Sequence, residues 1–364
     1  MPYQPFSDER LLAPPVKRAA YSDRMALLMA EMSLLAYTSF ESPDPPEPSE
    51  QSELEAVLAS IRSAPTDADA LDLLAGLSRD DKGVYRDSSA STLRALLDRG
   101  GFTLVNTYDS APKSDGTDTQ AFLAKNNPAA TGGGAEKIAV LAFRGTEGKL
   151  ADIKSDANML PVKVNKVNVH TGFWKGFAVV EEAIQRDLAP LRDDGYVLYV
   201  TGHSLGGALA LIATYKIADD STGACYTFGQ PRVAGYGFAQ SIRTPICRVV
   251  NGNDIVPRMP PSHLFHVLAF ISSILPIPGQ KYLTRFLEKF TRYVHHGDMR
   301  YLKRRSGEAS GSYGPVTLLS NPNMLHRLWW FATSWPTARK SPLEDHYKDA
   351  YCEKLREYAS QRLS

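Results

Sequence analysis

Cysteine is scarce. Cys225, Cys247 and Cys352 are the only three in 364 residues, and their odd number and wide spacing exclude a disulfide framework. They also form no metal-ligand pattern, and their rarity fits a reducing compartment. An excess of charge is missing too. Forty-one basic residues against forty acidic ones leave a net charge of +1, so no overall field draws the chain to nucleic acid. No continuously apolar run reaches the roughly 20 residues of a membrane-spanning helix. The closest, Leu264 to Pro278, is interrupted by Pro276 and Pro278. The opening Met1-Pro2-Tyr3-Gln4-Pro5-Phe6 lacks a basic segment followed by an apolar one, so no Sec signal peptide is expected. Both cytoplasmic residence and signal-independent export fit that expectation. Internal repeats are absent as well.

What is present suits a globular α/β chain. Apolar residues make up 43% and charged residues 22%, enough for a sizeable core. Charge is uneven locally. Residues 41–81 hold eleven acids and two bases, whereas residues 280–305 hold eight bases and two acids. The spacing of Met25, Leu28, Met29, Met32 and Leu35 predicts a helix over 22–37, with Ser22 as its cap. A Pro/Glu-rich loop at 41–50 follows, then helices near 51–62, 68–78 and 89–98. Phe102–Tyr108 and Ala121–Ala124 read as paired strands. From Ile138 onward strands alternate with helices: strands at 138–143, 196–201, 224–228 and 245–250, helices at 173–191, 204–218 and 235–242. Such alternation predicts a parallel sheet whose chemistry lies at the carboxyl ends of its strands. The whole of 1–364 reads as one domain. Within it, 41–100 is an acidic helical insertion and 263–305 an apolar and basic helical insertion.

One strand end carries a specific signal. Gly202-His203-Ser204-Leu205-Gly206 joins the apolar run Val197–Thr201 to the helical Ala208–Ile212. A G-x-S-x-G between strand and helix is a nucleophile elbow, a tight turn that lifts the serine hydroxyl above the sheet. A serine needs a base, an acid to orient the base, and donors for the oxyanion. In doubly wound hydrolases the acid and then the histidine follow the serine. Asp254, in Asn253-Asp254-Ile255-Val256-Pro257 beyond a strand, has the right position, although a turn aspartate capping its own backbone reads equally well. Of the seven histidines outside the elbow, His170 precedes Ser204. His346, at the start of a helical stretch over 342–363, has the right order and place, with His296 as competitor. The Leu205 N–H is the first candidate oxyanion donor. Thr146, after the strand ending Phe143-Arg144-Gly145, is the second.

These pieces together resemble the class 3 lipases, the fungal-lipase-like branch of the α/β-hydrolases. Leu34-Leu35-Ala36-Tyr37 is similar to the family's N-terminal helix, and Ala142-Phe143-Arg144-Gly145-Thr146 to its oxyanion strand. Val169-His170-Thr171-Gly172-Phe173 is similar to its V-H-x-G-F segment. The elbow, Phe228-Gly229-Gln230-Pro231-Arg232-Val233, the Asp254 loop, Tyr293-Val294-His295-His296-Gly297 and Asp345-His346 follow in family order. The resemblance implies an α/β-hydrolase fold, with Ser204 as nucleophile, Asp254 as acid and His346 as base. It makes Thr146 and Leu205 the oxyanion donors and His296 structural. It implies a cofactor-free serine ester hydrolase acting on lipid esters, triacylglycerols or other acyl esters. The alternatives are a phospholipase A1 and, in another class, a non-catalytic interaction protein. Two segments depart from the family. The lid region, Glu147 to Asn168, offers only Leu150 and Ile153 as bulky apolar residues in its charged first ten. The segment between Asp254 and His346 is long. Over 281–295, Leu283, Phe286, Leu287, Phe290 and Val294 share one helical face, and Lys281, Arg285, Lys289 and Arg292 another. That pattern fits a surface helix packed on the core, or a peripheral contact with an anionic lipid surface.

Overall fold

A computed structural model describes residues 21–38, 93–109, 119–128, 136–145, 161–164, 167–252, 254–260, 268–273, 280–291, 293–306, 313–334 and 344–362. The chain divides into two compact units, residues 38–96 and the remainder. The helices expected at 51–62 and 68–78 lie outside the described residues. Near the third, helix α2 runs over Leu93–Arg99.

The larger unit is built on an eight-stranded sheet. In chain order its strands are β1 (Phe102–Asp109), β2 (Gln120–Asn126), β3 (Ile138–Phe143), β6 (Val197–His203), β7 (Thr222–Phe228), β8 (Ile246–Asn251), β9 (Asp298–Ser306) and β10 (Tyr313–Ser320). β4 (Pro161–Val164) and β5 (Val167–His170) form a separate antiparallel pair that begins in the expected lid region and ends on Val169 and His170, beyond it. The spatial order is β1-β2-β3-β6-β7-β8-β9-β10, with β3 through β9 parallel and β1, β2 and β10 joined by antiparallel pairing. Every residue of β3, β6, β7 and β8 is buried, which explains why Ile138–Phe143 reads as an unbroken apolar run. This is the mostly parallel sheet that the alternation of strands and helices predicts.

Helices cover both faces. α3 (Thr171–Asp193) buries Phe177, Val180, Ile184, Leu188 and Leu191, spaced three and four residues apart along one stripe. It packs with α4 (Leu205–Ile217), which is buried on nearly every side, as its uniformly apolar sequence requires. Leu141, Leu198 and Val200 point toward these two helices. On the opposite face lie α1 (Asp23–Leu35) and the C-terminal α7 (Lys348–Gln361). There Thr201 of β6 bonds the Met29 carbonyl at 3.0 Å and Ser33 Oγ at 2.8 Å. The buried Glu31 of α1 is paired with Arg356 of α7 at 3.0 Å.

The region after residue 263 departs from the helical expectation. A helical stretch at 268–273 and helix α5 (Gln280–Thr291) are present, but from Asp298 the chain is strand β9, followed by β10 and helix α6 (Met324–Ser334). Met299 and Tyr301, two residues apart on one face of β9, are buried against Val250, Leu319 and Trp330, and Lys303 on the same face stands over the Trp330 ring. Among the described residues no helix is long and apolar enough to cross a membrane.

Candidate active site

Three strand ends and the C-terminal helix converge on Ser204. The serine sits between β6 and α4 with φ 58° and ψ −126°, a conformation that costs an L-residue about 1–3 kcal/mol. Its N–H donates to the Phe228 carbonyl at the end of β7, 2.8 Å away, which holds the bend in place. The flanking glycines are required by close approach. A Cβ on Gly202 would lie 2.2 Å from the Gly206 carbonyl oxygen, and one on Gly206 would lie 2.3 Å from that of Phe143. The hydroxyl is thereby fixed above the carboxyl edge of the sheet.

Asp254 follows β8 through a turn in which its N–H donates to the Asn251 carbonyl at 2.9 Å. The turn-capping reading and the catalytic reading of this residue are both present in one carboxylate. Its Oδ1 accepts the Val256 N–H at 2.9 Å, and its Oδ2 faces His346 Nδ1 at 2.9 Å. His346 stands in a single 3₁₀ turn, Glu344–His346, ahead of α7. Its Nε2 lies 2.8 Å from Ser204 Oγ. A carboxylate can only accept, so Nδ1 carries the ring proton toward Asp254 and Nε2 is left to accept from the serine hydroxyl. Asp254 is 1% exposed. Burial raises its carboxyl above the ordinary value, and bonds from His346, Tyr351 and the Val256 N–H pull the other way.

Two supports were not legible beforehand. Tyr351, on the first turn of α7, donates to Asp254 Oδ2 at 2.6 Å and accepts the Asn251 N–H at 3.0 Å. Its spacing, five residues after His346, was the available signal. His203, the variable residue of the elbow, is fully enclosed. Burial first, then the neighbouring His346 and Lys348, holds its ring well below the ordinary histidine value and therefore neutral. Its Nε2–H donates to the His346 carbonyl at 2.7 Å, which leaves Nδ1 to accept from the Tyr37 hydroxyl at 3.0 Å. Tyr37 thus anchors His203, and His203 anchors the backbone that carries His346.

Leu205 is the first residue of α4, where an N–H has no carbonyl one turn back to bond. Thr146 lies outside the described residues. The chain just before it passes beside the serine, since a Cβ on Gly145 would stand 3.2 Å from Ser204 Cβ. His296 is held elsewhere, its Nε2 3.4 Å from the Ala234 carbonyl and its ring beside Phe238.

Comparison with known proteins agrees on one region. Residues 140–264 match the family model described as Lipase (class 3). A lipase of Rhizomucor miehei is 33% identical over 162 residues, covering 40% of this chain and 42% of that protein. Toxin TseL of Vibrio cholerae is 31% identical over 157 residues, covering 40% of this chain and 24% of that protein. The matched stretch is thus less than half of either relative. The solved structure of lipase II from Rhizopus niveus aligns with a TM-score of 0.46 at 21% identity, over 84% of this chain and 97% of that one.

Proposed function

We propose, from the premise that this chain belongs to the class 3 lipase family of α/β-hydrolases, that it is a serine hydrolase of lipid esters, with triacylglycerols or related acyl esters as substrates. The observation that carries this reading is the continuous path from Ser204 Oγ through His346 to Asp254, with links of 2.8 and 2.9 Å. His346 takes the Ser204 proton as Oγ attacks the ester carbonyl. The oxyanion of the tetrahedral intermediate accepts from the Leu205 N–H and from Thr146, and the positive end of α4 lies beneath it. His346 then protonates the departing alcohol, which leaves an acyl group on Ser204. Water, deprotonated by the same ring, releases the acid. Asp254 keeps His346 in the tautomer this sequence needs and stabilises the imidazolium that forms twice per cycle.

Contact with a lipid surface belongs to the same reading. Phe270, Ile271, Tyr282 and Leu283 are exposed around a Ser272–Thr284 hydroxyl contact of 2.7 Å, and Lys281 and Arg285 stand exposed beside them. Leu325 and Trp329 are exposed on α6. Apolar side chains grouped in this way mark a docking surface more often than a solvated one. The exposed cations also favour an anionic phospholipid as substrate, the phospholipase A1 reading. Rates on a triacylglycerol emulsion and on phospholipid vesicles separate the two.

Ser204→Ala is expected to abolish turnover of a short p-nitrophenyl ester, and a fluorophosphonate probe to label the native protein but not this variant. A native protein that neither turns over esters nor takes the label would instead be a non-catalytic member of the fold.

A further inference from the structure

Beside the Asp254 loop lies a cavity of about 200 Å³ whose walls include Asp254 but neither Ser204 nor His346. Four arginines line it: Arg232 from the segment after β7, Arg248 from the middle of β8, Arg258 from the turn after Asp254, and Arg327 from α6. Asp254 is the one carboxylate among the described lining residues, which together carry an excess of three positive charges. That carboxylate is already engaged by Val256, Tyr351 and His346.

Arg248 is the decisive residue. It is 6% exposed, its Nε has no partner, and it makes no ion pair with any described residue. Arg327 Nε and His295 Nδ1 are likewise buried without partners. Arg232 spends its Nη1 on the Arg258 and Pro260 carbonyls, neutral acceptors that cancel no charge. The cations weaken one another. Burial, then Arg327 and Arg232, bring Arg248 down to about 10, and burial, then Arg327, does the same to Arg232. Buried guanidinium groups are retained at such cost where an anion repays it. The space exceeds by several-fold the roughly 30 Å³ of one water. Planar forks arriving from four chain segments suit the several oxygens of a tetrahedral oxyanion better than the two of a carboxylate.

We propose that this cavity is a binding site for a phosphate group, carried by free phosphate or by the headgroup of a phosphomonoester lipid. The assignment is independent of ester hydrolysis, and its test reads binding alone, including in Ser204→Ala. The melting temperature of the intact chain is measured while inorganic phosphate is titrated against sodium chloride at matched ionic strength. A saturable rise with phosphate and none with chloride is expected, lost in both Arg248→Met and Arg327→Gln. Without phosphate, Arg248→Met should melt no lower than the native protein, because an apolar chain replaces an unpaired buried charge. Should it fail to fold, Arg327→Gln, on the half-exposed helix, carries the test. Retention on phosphatidylcholine vesicles, plain or doped with phosphatidic acid, distinguishes the sources. Retention on the doped vesicles that both substitutions abolish identifies the lipid headgroup, and a phosphate-induced rise without retention identifies free phosphate. A rise that chloride reproduces, or phosphate and vesicle responses that are absent or survive both substitutions, overturns the proposal.

Discussion

A single carboxylate, Asp254, performs two tasks that local sequence presents as rivals. Oδ1 closes its own turn on the Val256 N–H while Oδ2 orients His346, so the turn positions the acid. The position was readable from Asn253-Asp254-Ile255-Val256-Pro257 after a strand. Tyr351 was not, because a tyrosine on an amphipathic helix reads as core. Asp254→Asn should lower kcat by about 10⁴-fold, since an amide favours the wrong histidine tautomer. Its effect on stability has a definite sign. A carboxyl raised by burial costs nothing below its ordinary value of 3.8, costs more as pH climbs from there to its raised native value, and costs a constant amount above it. Asp254→Asn should therefore melt no lower than the native protein at neutral pH, and its relative advantage should shrink to nothing in acid. Thermal melts of the two proteins across pH decide this, and an advantage that grew toward acid would contradict it. Tyr351→Phe should act oppositely on stability. It orphans the buried Asn251 N–H, a loss of about 1–3 kcal/mol, and lowers kcat only several-fold because His346 keeps its acid. Denaturant unfolding and ester kinetics on the same preparation measure both.

Among the elements, those defined by one strong pattern were legible. β3 and β8, apolar on both faces, and α3, with its stripe of Phe177, Val180, Ile184 and Leu188, lie within two residues of their expected bounds. β9 was not legible, because Arg300, Lys303, Arg304 and Arg305 continue the basic run of helix α5 and masked the period-two pair Met299 and Tyr301. α6 is the element whose packing leaves most to explain. Trp330 is folded against β9 and β10, whereas Leu325 and Trp329, four residues apart on one face, are exposed at 77% and 70%. Such residues contribute little to the fold, so a Leu325→Ser, Trp329→Ser double variant should shift stability by no more than about 0.5 kcal/mol per site. Its activity on a soluble short-chain ester should match the native protein, while activity on an emulsion or on vesicles falls. Equal losses on soluble and dispersed substrates would show that α6 shapes the site rather than the lipid contact.

At the scale of the molecule, chain order was the readable quantity. It set the acid after the serine and the histidine after the acid, although 142 residues separate Ser204 from His346 and 92 separate Asp254 from His346. Burial is a sum over the whole fold and was not readable in that way, yet it governs how the protein responds to acid. His170, His203, His295 and His296 are all enclosed, and burial is the leading cause that holds each ring below the ordinary histidine value of 6.5, to about 4 for His170. In the unfolded chain the same rings take up protons near 6.5. Below that pH the unfolded state therefore binds more protons than the native one, and stability must fall as pH falls. Each histidine contributes a slope of up to about 1.4 kcal/mol per pH unit between its two values. The melting temperature should accordingly decline steeply below pH 6.5, before the carboxylates protonate. His170 offers the cleanest dissection, because its Nδ1 has no partner and its ring lies 4.3 Å from that of Phe173. His170→Phe keeps the aromatic contact and removes one proton-binding group from the unfolded chain. It should flatten the decline by one histidine's share and leave the melting temperature above pH 6.5 little changed. A decline of unaltered slope in that variant would mean that His170 is protonated in the native fold.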